Sequence, residues 1–315
     1  MDELQKTNGE SAEETIDEVS APEAEEISLD ENASVDESVT VEKETAEEAV
    51  SSNAEAIEEF IEETKESEKT EETAESVLAS TYSAEDDGKE SAIRLQNVSM
   101  TYDNINMALN DVSLDIKEGE FVFIVGANGA GKTTLTRILI CEEKVTSGRL
   151  TVNGFRLHKI RSWKVPKLRR TIGMVFQDFK LFDNMTVYEN VAFAMRVVGA
   201  KSSLIKKRVP VFLEMVGVGH KSNAFPTELS GGEKQRVAFA RAIVNNPDIV
   251  IADEPTGNID TKMTEGIMEL LLKINKLGKT VIVITHDTQI VQSYNKRVIK
   301  LENGRVVSDK IGGDF

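Results

Sequence analysis

The feature that most constrains how this chain can fold is a glycine-rich loop at residues 126–133, GANGAGKT. It follows an apolar run, Phe121 to Val125, and precedes a stretch that begins at Lys132 and contains no glycine or proline before residue 148. This order predicts a buried strand that turns through the loop into a helix. Backbone N–H groups of such a loop and the positive end of the helix dipole hold phosphate oxygens well. The sequence therefore predicts an α/β fold with a phosphate-binding loop.

Each position of the loop has a role in this prediction. Lys132 is expected to reach the β- and γ-phosphate oxygens, and the hydroxyl of Thr133 is expected to bind Mg²⁺. The predicted ATP ligands from this region are Gly126, Ala127, Asn128, Gly129, Ala130, Gly131, Lys132, Thr133 and Thr134.

Two acidic residues follow a second apolar run. Ile249 to Ala252 predicts a buried strand, and Asp253 and Glu254 come directly after it. Ligands of open α/β sheets bind at the carboxyl ends of the strands, so these acids are candidate site residues. Asp253 is expected to hold Mg²⁺, and Glu254 to position or deprotonate the attacking water. The alternative is a strand followed by two solvated acids before a turn.

A third segment, LSGGEKQ at 229–235, predicts the start of a helix that runs to Val244. Its first residues offer a hydroxyl, bare N–H groups and the helix dipole to an anion, although a Ser-Gly-Gly start alone is most often an ordinary cap. Between a phosphate loop and a strand ending in Asp-Glu, the segment resembles the signature motif of ABC-type ATPases. We therefore count Ser230, Gly231, Gly232 and Glu233 among the candidate nucleotide ligands.

The resemblance to ABC-type ATPases implies further site residues. Gln177, which follows the apolar run 172–176, corresponds to the glutamine that contacts Mg²⁺ and water and links the site to a membrane partner. His286 follows the apolar run 281–285 and corresponds to the histidine that contacts the γ-phosphate. Asp260 corresponds to the aspartate that communicates across the dimer. Tyr102 corresponds to the aromatic residue that stacks on adenine, with ordinary packing as its alternative.

The same resemblance implies an architecture. It implies a P-loop ABC nucleotide-binding domain with an antiparallel β-subdomain and an α-helical subdomain. Two such domains would face head to tail, as a homodimer or with a second ATPase subunit, and each signature helix would close on the ATP held by the other copy. The catalytic residues would be Glu254, His286 and Gln177, and the Mg²⁺ ligands Thr133, Gln177 and Asp253.

Within the superfamily, the sequence is most similar to the FtsE family of bacterial cell-division ATPases. The segments that carry this likeness are VFQDFKL at 175–181, TVYENVA at 186–192, Glu233, and ADEPTGN at 252–258. The likeness implies an FtsX-like polytopic membrane partner, a role in controlling cell-wall hydrolases, and a peripheral location on the cytoplasmic face of the cell membrane. Two alternatives stay open: an ATPase subunit for lipoprotein or macrolide export, and an ATP-dependent scaffold with little turnover.

Charge divides the chain into two parts. Residues 1–90 contain 32 acidic and 5 basic residues, a net charge of −27, whereas residues 91–315 have a net charge of +9. The acidic part has almost no aromatic residues, so we predict a disordered tail at 1–90 and the ATP-binding domain at 91–315. Three roles for the tail are open: a solvated spacer, recruitment of another division protein through a short amphipathic stretch at 50–61, and self-regulation on the basic domain.

Other patterns complete the predicted domain. Segments 93–101, 111–117, 120–125 and 149–153 predict the antiparallel subdomain, and helical periodicity at 186–216 predicts the α-subdomain. Residues 263–277 predict a core helix, and 298–307 a hairpin with an Asn-Gly turn. The modest positive charge of the domain, without an aromatic-basic platform, argues against nucleic-acid binding. No run is apolar and long enough to span a bilayer.

Two residue types, cysteine and tryptophan, occur once each in the chain. Cys141 is the only cysteine, which excludes an internal disulfide and fits a reducing compartment. Trp163 lies in a basic stretch at 159–167. Its neighbours would suit lipid headgroups, a cytoplasmic loop of a partner, or simply solvent.

Overall fold

The computed structural model describes residues 90–102, 106–256 and 261–312, and at 261–263 it describes the backbone alone. The predicted tail at 1–90, apart from its last residue, and the predicted ligand Asp260 lie outside these ranges. The strands are β1 Ser91–Thr101, β2 Met107–Lys117, β3 Phe121–Val125, β4 Ser147–Val152, β5 Phe155–Arg156, β6 Ile172–Val175, β7 Ile249–Asp253, β8 Thr280–Thr285, β9 Arg297–Glu302 and β10 Arg305–Ile311. The α-helices are α1 Lys132–Leu139, α2 Val165–Arg170, α3 Val187–Val197, α4 Ser202–Met215, α5 Gly231–Ile243, α6 Thr261–Lys276 and α7 Thr288–Ser293.

A six-stranded sheet, in the order β10-β9-β3-β8-β7-β6, forms the centre of the described fold. Its five strands from β9 to β6 pair in parallel, and β10 adds an antiparallel edge. Parallel strands covered on both faces are apolar throughout, which explains why β3 reads Phe-Val-Phe-Ile-Val with every residue buried. Side chains of β3 alternate between two core clusters, with Phe121, Phe123 and Val125 in one and Val122 and Ile124 in the other.

The antiparallel sheet has the order β2-β1-β4-β5. Its strands confirm the predictions at 93–101, 111–117 and 149–153, and Asn153 and Gly154 form the β4–β5 turn with φ of 44° and 73°. The assignment of segment 120–125 to this sheet is wrong, because β3 pairs in parallel with β8 and β9. Strand β3 is buried on both faces, whereas β1 and β2 alternate between buried and more exposed residues, as strands with one solvated face do.

Helices α3 and α4 confirm the helical region predicted at 186–216. Helix α6 confirms the predicted core helix: Ile267, Leu270, Leu271 and Ile274 are buried, and Gly278 follows the helix with a φ of 84°. The hairpin β9–β10 turns at Asn303-Gly304, as the sequence predicts.

Candidate nucleotide-binding site

The phosphate loop joins β3 to α1 and depends on glycine for its close packing. A Cβ at Gly126 would lie 2.4 Å from the carbonyl oxygen of Leu301, and one at Gly131 would lie 2.6 Å from that of Ala108. Gly131 also has a φ of 105°, which side-chain-bearing residues rarely adopt. These contacts pin both ends of the loop against neighbouring backbone.

Lys132 is the first residue of α1, and its side chain folds back over the loop. Its Nζ donates to the carbonyl oxygens of Gly126 at 2.7 Å and Ala127 at 3.2 Å. Only 8% of Lys132 is exposed. The loop therefore presents a desolvated ammonium group at the helix start, where phosphate oxygens are held best. The Ala130 side chain, by contrast, is buried in the core, so this residue can offer only its backbone to a ligand.

A pocket of about 340 Å³ lies at the carboxyl ends of the parallel strands and brings together most of the predicted site. Such pockets are the usual ligand sites of open α/β sheets. Its lining is made by Ala108, Asn128, Gly129, Gly131, Lys132, Thr133, Thr134, Gln177, Asp253, Glu254 and His286. The alternative of two solvated acids before a turn does not hold, since both acids line this pocket.

Asp253 ends strand β7 and is largely buried. Burial, together with the negative charge of Glu254, raises the pKa of its carboxyl from 3.8 to about 6, although Lys132 and Lys180 act in the opposite direction. A buried carboxylate beside a second one is a costly arrangement that a bound cation relieves.

Glu254 has a left-handed backbone, with a φ of 49°, that is fixed by a hydrogen bond from its N–H to the carbonyl oxygen of Ile284 on β8. Its carboxylate lies 2.9 Å from Nδ1 of His286 and also accepts from the His286 N–H at 3.4 Å. The side chain of Glu254 is 10% exposed, whereas that of His286 is 65% exposed. A non-glycine residue in such a conformation is a strained feature typical of functional sites.

The oxygen donors predicted for Mg²⁺ fit that ion. Thr133, Gln177 and Asp253 line both the phosphate pocket and a second cavity of about 420 Å³ beside it. Hydroxyl, amide and carboxylate oxygens suit a hard cation that shares its remaining positions with phosphate oxygens and water. Within the described ranges, no cluster of three or more His, Cys, Asp or Glu residues could hold a metal by itself.

Tyr102 follows β1 and is 54% exposed, so it is not a packing residue of a strand interior. Its hydroxyl lies 3.3 Å from Oγ1 of Thr134, at the edge of the phosphate pocket. The ring is thus available beside the nucleotide pocket, as a base-stacking residue needs to be.

The signature segment forms the N-terminus of α5 and does not line the phosphate pocket of its own chain. Ser230 is the N-cap: its Oγ accepts from the N–H of Glu233 at 3.3 Å, and the Glu233 carboxylate accepts from the Ser230 N–H at 2.8 Å. Hydrogen bonds from the N–H and the hydroxyl of Ser230 to the Glu233 carboxylate lower the pKa of Glu233. Ser230 and Gly231 are exposed. Glu233 therefore shapes the helix end through Ser230.

Two residues of α5 that were not predicted to belong to the site hold the backbone next to predicted site residues. Gln235 is buried and its Nε2 donates to the carbonyl oxygen of Pro255, next to Glu254. Arg241 donates to the carbonyl oxygens of Phe179 at 2.6 Å and Lys180 at 2.5 Å. These two residues follow Gln177 closely in the chain and have left-handed backbones, with φ of 57° and 47°. The sequence contained one sign of the role of Gln235. It lies three positions from Gly232 and from Ala238, which places a polar side chain on the core face of the helix.

No helix within the described ranges is long and apolar enough to cross a bilayer. The predicted dimer aspartate, Asp260, cannot be placed because it lies outside those ranges.

Comparisons with known proteins show which family the chain belongs to. The model of the ABC transporter family matches residues 109–257. The cell division ATP-binding protein FtsE of Streptococcus pneumoniae is 52% identical over 225 residues, which are 71% of this chain and 98% of that relative. FtsE of Bacillus subtilis is 48% identical over 223 residues, with the same two shares.

A solved ATP-binding cassette, in a dimeric post-hydrolysis state bound to ADP and Pi, is 39% identical with a TM-score of 0.65, over 71% of this chain and all of that one. The fold and the solved cassette identify the superfamily, and the two relatives identify the family within it. The chain is an ATPase of the ABC class and belongs to the FtsE family of cell-division ATP-binding proteins.

Proposed function

We propose that two copies of this chain bind Mg-ATP between them and hydrolyse it to drive an FtsX-like polytopic membrane protein during cell division. The observation that carries the proposal is that one chain places its predicted phosphate, metal and water ligands in one pocket and its signature helix end outside that pocket. Lys132, Asp253, Glu254, Gln177 and His286 converge on one pocket, while the signature end of α5 lies outside that pocket.

The pocket supplies most of the groups that hydrolysis requires. Lys132 would bind the β- and γ-phosphate oxygens, and Glu254 would orient the attacking water and accept its proton. Thr133, Gln177 and Asp253 would hold Mg²⁺, which would neutralise developing charge on the phosphate oxygens. His286 holds the Glu254 carboxylate at 2.9 Å and would turn toward the γ-phosphate when ATP is bound.

The signature end would complete the site of the second copy. Ser230 donates its hydroxyl proton to Glu233 at 2.9 Å, and this hydrogen bond could be exchanged for one to a phosphate oxygen. Among the described residues, the N–H groups of Gly231 and Gly232 have no acceptor; Gly231 is exposed and Gly232 is buried, so the N–H of Gly231 is the one presented to an anion at the surface. An isologous two-fold dimer then has two equal composite sites.

The membrane partner has a candidate docking groove of about 640 Å³. Its lining includes Phe182 and Phe193, whose rings lie 4.9 Å apart edge to face, and the basic residues Arg169 and Arg170. Phe176 and Lys180 line this groove and also the cavity that contains Gln177 and Asp253. A partner helix in the groove would therefore sense changes around the nucleotide.

The experiment that tests the partner is affinity capture from native membranes. The Glu254→Gln variant should stay closed on Mg-ATP and retain its membrane partner, whereas Lys132→Ala should not close and is the matched control. Recovery of an FtsX-like protein with the first variant alone supports the proposal. Recovery of a lipoprotein or drug permease instead would keep the chemistry and overturn the division role.

Hydrolysis and scaffolding are separated by the same variant in cells. If the chain works by cycles of hydrolysis, Glu254→Gln should fail to support division even though its ATP-bound dimer forms. Normal division with this variant would make the ATP-dependent scaffold the better account.

A further inference from the structure

A basic surface lies directly before strand β6 and outside the nucleotide site. Residues 156–170, named here the basic strip, contain seven Lys and Arg residues and no Asp or Glu. Six of the seven cations are exposed, and Lys164 is half-buried. Within the described part of the chain none of the seven pairs with a carboxylate. The strip thus presents concentrated positive charge that the described fold leaves uncompensated.

The basic strip is attached to the fold by its apolar side chains. Leu157 and Leu168 are 8% and 0% exposed, and Ile160 packs partly buried against the same core cluster. Leu157 and Ile160 belong to the first of two 3₁₀ turns and its end, and Leu168 belongs to the short helix α2. The second 3₁₀ turn, Ser162–Lys164, contains no buried residue, and most of the charged residues in the strip face solvent. The strip is therefore an amphipathic surface in a fixed orientation.

Trp163 lies in the middle of the strip and is 59% exposed, and the ammonium of Lys164 lies 5.2 Å from its ring centre. Tryptophan and lysine on one surface are typical of segments that rest in the headgroup layer of a membrane. Lys and Arg there are attracted to anionic lipids, and the indole ring prefers the interface between polar and apolar layers.

We propose that the basic strip binds the surface of an anionic phospholipid bilayer, with Trp163 inserted among the headgroups. Pro166, Arg169 and Arg170 belong both to the strip and to the lining of the partner groove, so the two surfaces are continuous. The inference goes beyond the proposed function, because lipid contact here needs neither the partner nor ATP. The competing occupant is the acidic segment 1–90 of the same chain. Its negative charge complements the strip, but charge attraction alone does not require the exposed indole of Trp163.

Intrinsic fluorescence of the full chain tests this directly, since Trp163 is its only tryptophan. Vesicles of phosphatidylglycerol and phosphatidylcholine should shift its emission to the blue and protect it from acrylamide, and vesicles of phosphatidylcholine alone should not. Raising the salt from about 0.1 M to about 0.5 M should reverse the change. An unchanged spectrum with anionic vesicles at low salt would overturn the proposal.

The competing occupant gives a different result in the same cuvette. If the acidic segment covers the strip, Trp163 is protected from acrylamide at low salt before any vesicle is added, becomes accessible at high salt, and does not respond to anionic vesicles. That pattern also overturns the lipid proposal and assigns the strip to the chain's own N-terminal segment.

Two charge variants show whether the strip itself binds. Changing Lys159, Arg161, Lys164 and Lys167 to Gln should weaken partitioning onto anionic vesicles by about 100- to 1000-fold. The matched control changes the exposed Lys206, Lys207, Lys273 and Lys276 to Gln and should weaken it by less than about threefold. ATP hydrolysis by the isolated chain should be unchanged in both. Equal loss of binding in the two variants would mean that overall charge, and not the strip, binds lipid.

Discussion

Two helices of this protein begin with the same local device and end up with different exposures. Thr186 is the N-cap of helix α3 and forms a complete capping box with Glu189. Ser230 is the N-cap of helix α5 and forms the same box with Glu233. At α3, the next two N–H groups, those of Val187 and Tyr188, donate to the carbonyl oxygens of Ala224 and Ser222 at 2.9 Å. At α5, the corresponding N–H groups of Gly231 and Gly232 find no acceptor among the described residues.

The difference lies in what the rest of the fold adds to each helix end. The chain folds back over α3 and closes its N-terminus, whereas nothing described closes that of α5. Capping alone therefore does not mark function, because both helices are capped. A functional end is one that keeps polar groups unpaired for a ligand at some cost in stability.

The largest expected effect comes from removing each cap in turn. Ser230→Ala should lower ATP turnover by about 100- to 1000-fold, because one donor to the transferring phosphate is lost. Thr186→Ala removes the same type of cap, so each variant should lose about 1 kcal/mol of unfolding free energy. Steady-state hydrolysis and denaturant titration measure the two quantities. Equal turnover in both variants would break the comparison.

The closed end can be broken without touching the site. Asn190 on α3 is fully buried, and its side chain donates to the carbonyl oxygens of Phe182, Met185 and Thr186 and accepts from the Phe182 N–H. Asn190→Ala should lower the free energy of unfolding by about 3 kcal/mol, because buried backbone groups lose their partners. KM for ATP, measured well below the melting temperature, should not change. A large rise in KM would place α3 in the nucleotide site.

The cost of a functional group should be visible at Asp253. Folding raises the pKa of this acid from 3.8 to about 6, so the folded state binds the proton more tightly. The stabilising effect of this tighter proton binding is complete below the unfolded pKa of 3.8 and is lost as pH rises through the folded pKa of about 6. Asp253→Asn should stabilise the nucleotide-free protein by about 2 kcal/mol at pH 7.5 and by less at pH 5, while abolishing hydrolysis. Melting curves at the two pH values check this, and an equal gain at both would contradict the linkage.

The smallest effect is expected where α5 holds the segment after Gln177. Arg241→Lys can keep one of the two hydrogen bonds to Phe179 and Lys180, and Arg241→Ala keeps neither. We expect kcat to fall about tenfold in the alanine variant with KM nearly unchanged, and the lysine variant to recover part of the loss. A matching fall in both variants, or a fall that tracks thermal stability alone, would make Arg241 a purely structural residue.

Local pattern predicted much of this molecule. The strand, glycine loop and helix at 121–139, the acids at the end of β7 and the start of α5 were predictable because short-range periodicity and turn chemistry specify them. Residues brought together by long-range folding were not. Arg241 meets Phe179 and Gln235 meets Pro255 only because α5 packs behind the sheet.

The same limit explains the error at 120–125 and the hidden contrast between the two helix starts. An apolar run of five residues predicts a buried strand but contains no information on which sheet it joins. A capping box likewise looks identical in sequence at α3 and α5. The carbonyl groups of Ser222 and Ala224, about 35 residues after the start of α3 in the chain, distinguish the two helix starts.

The central claim is that the open end of α5 serves the ATP of a second copy. Mixing two inactive variants, Lys132→Ala and Ser230→Ala, tests it most directly through ATP turnover. In a head-to-tail heterodimer, one site receives both substitutions and the other receives neither, so random pairing should restore about a quarter of wild-type activity. No recovery above the separate variants, with dimers shown to form, would contradict the account and place the signature in the site of its own chain.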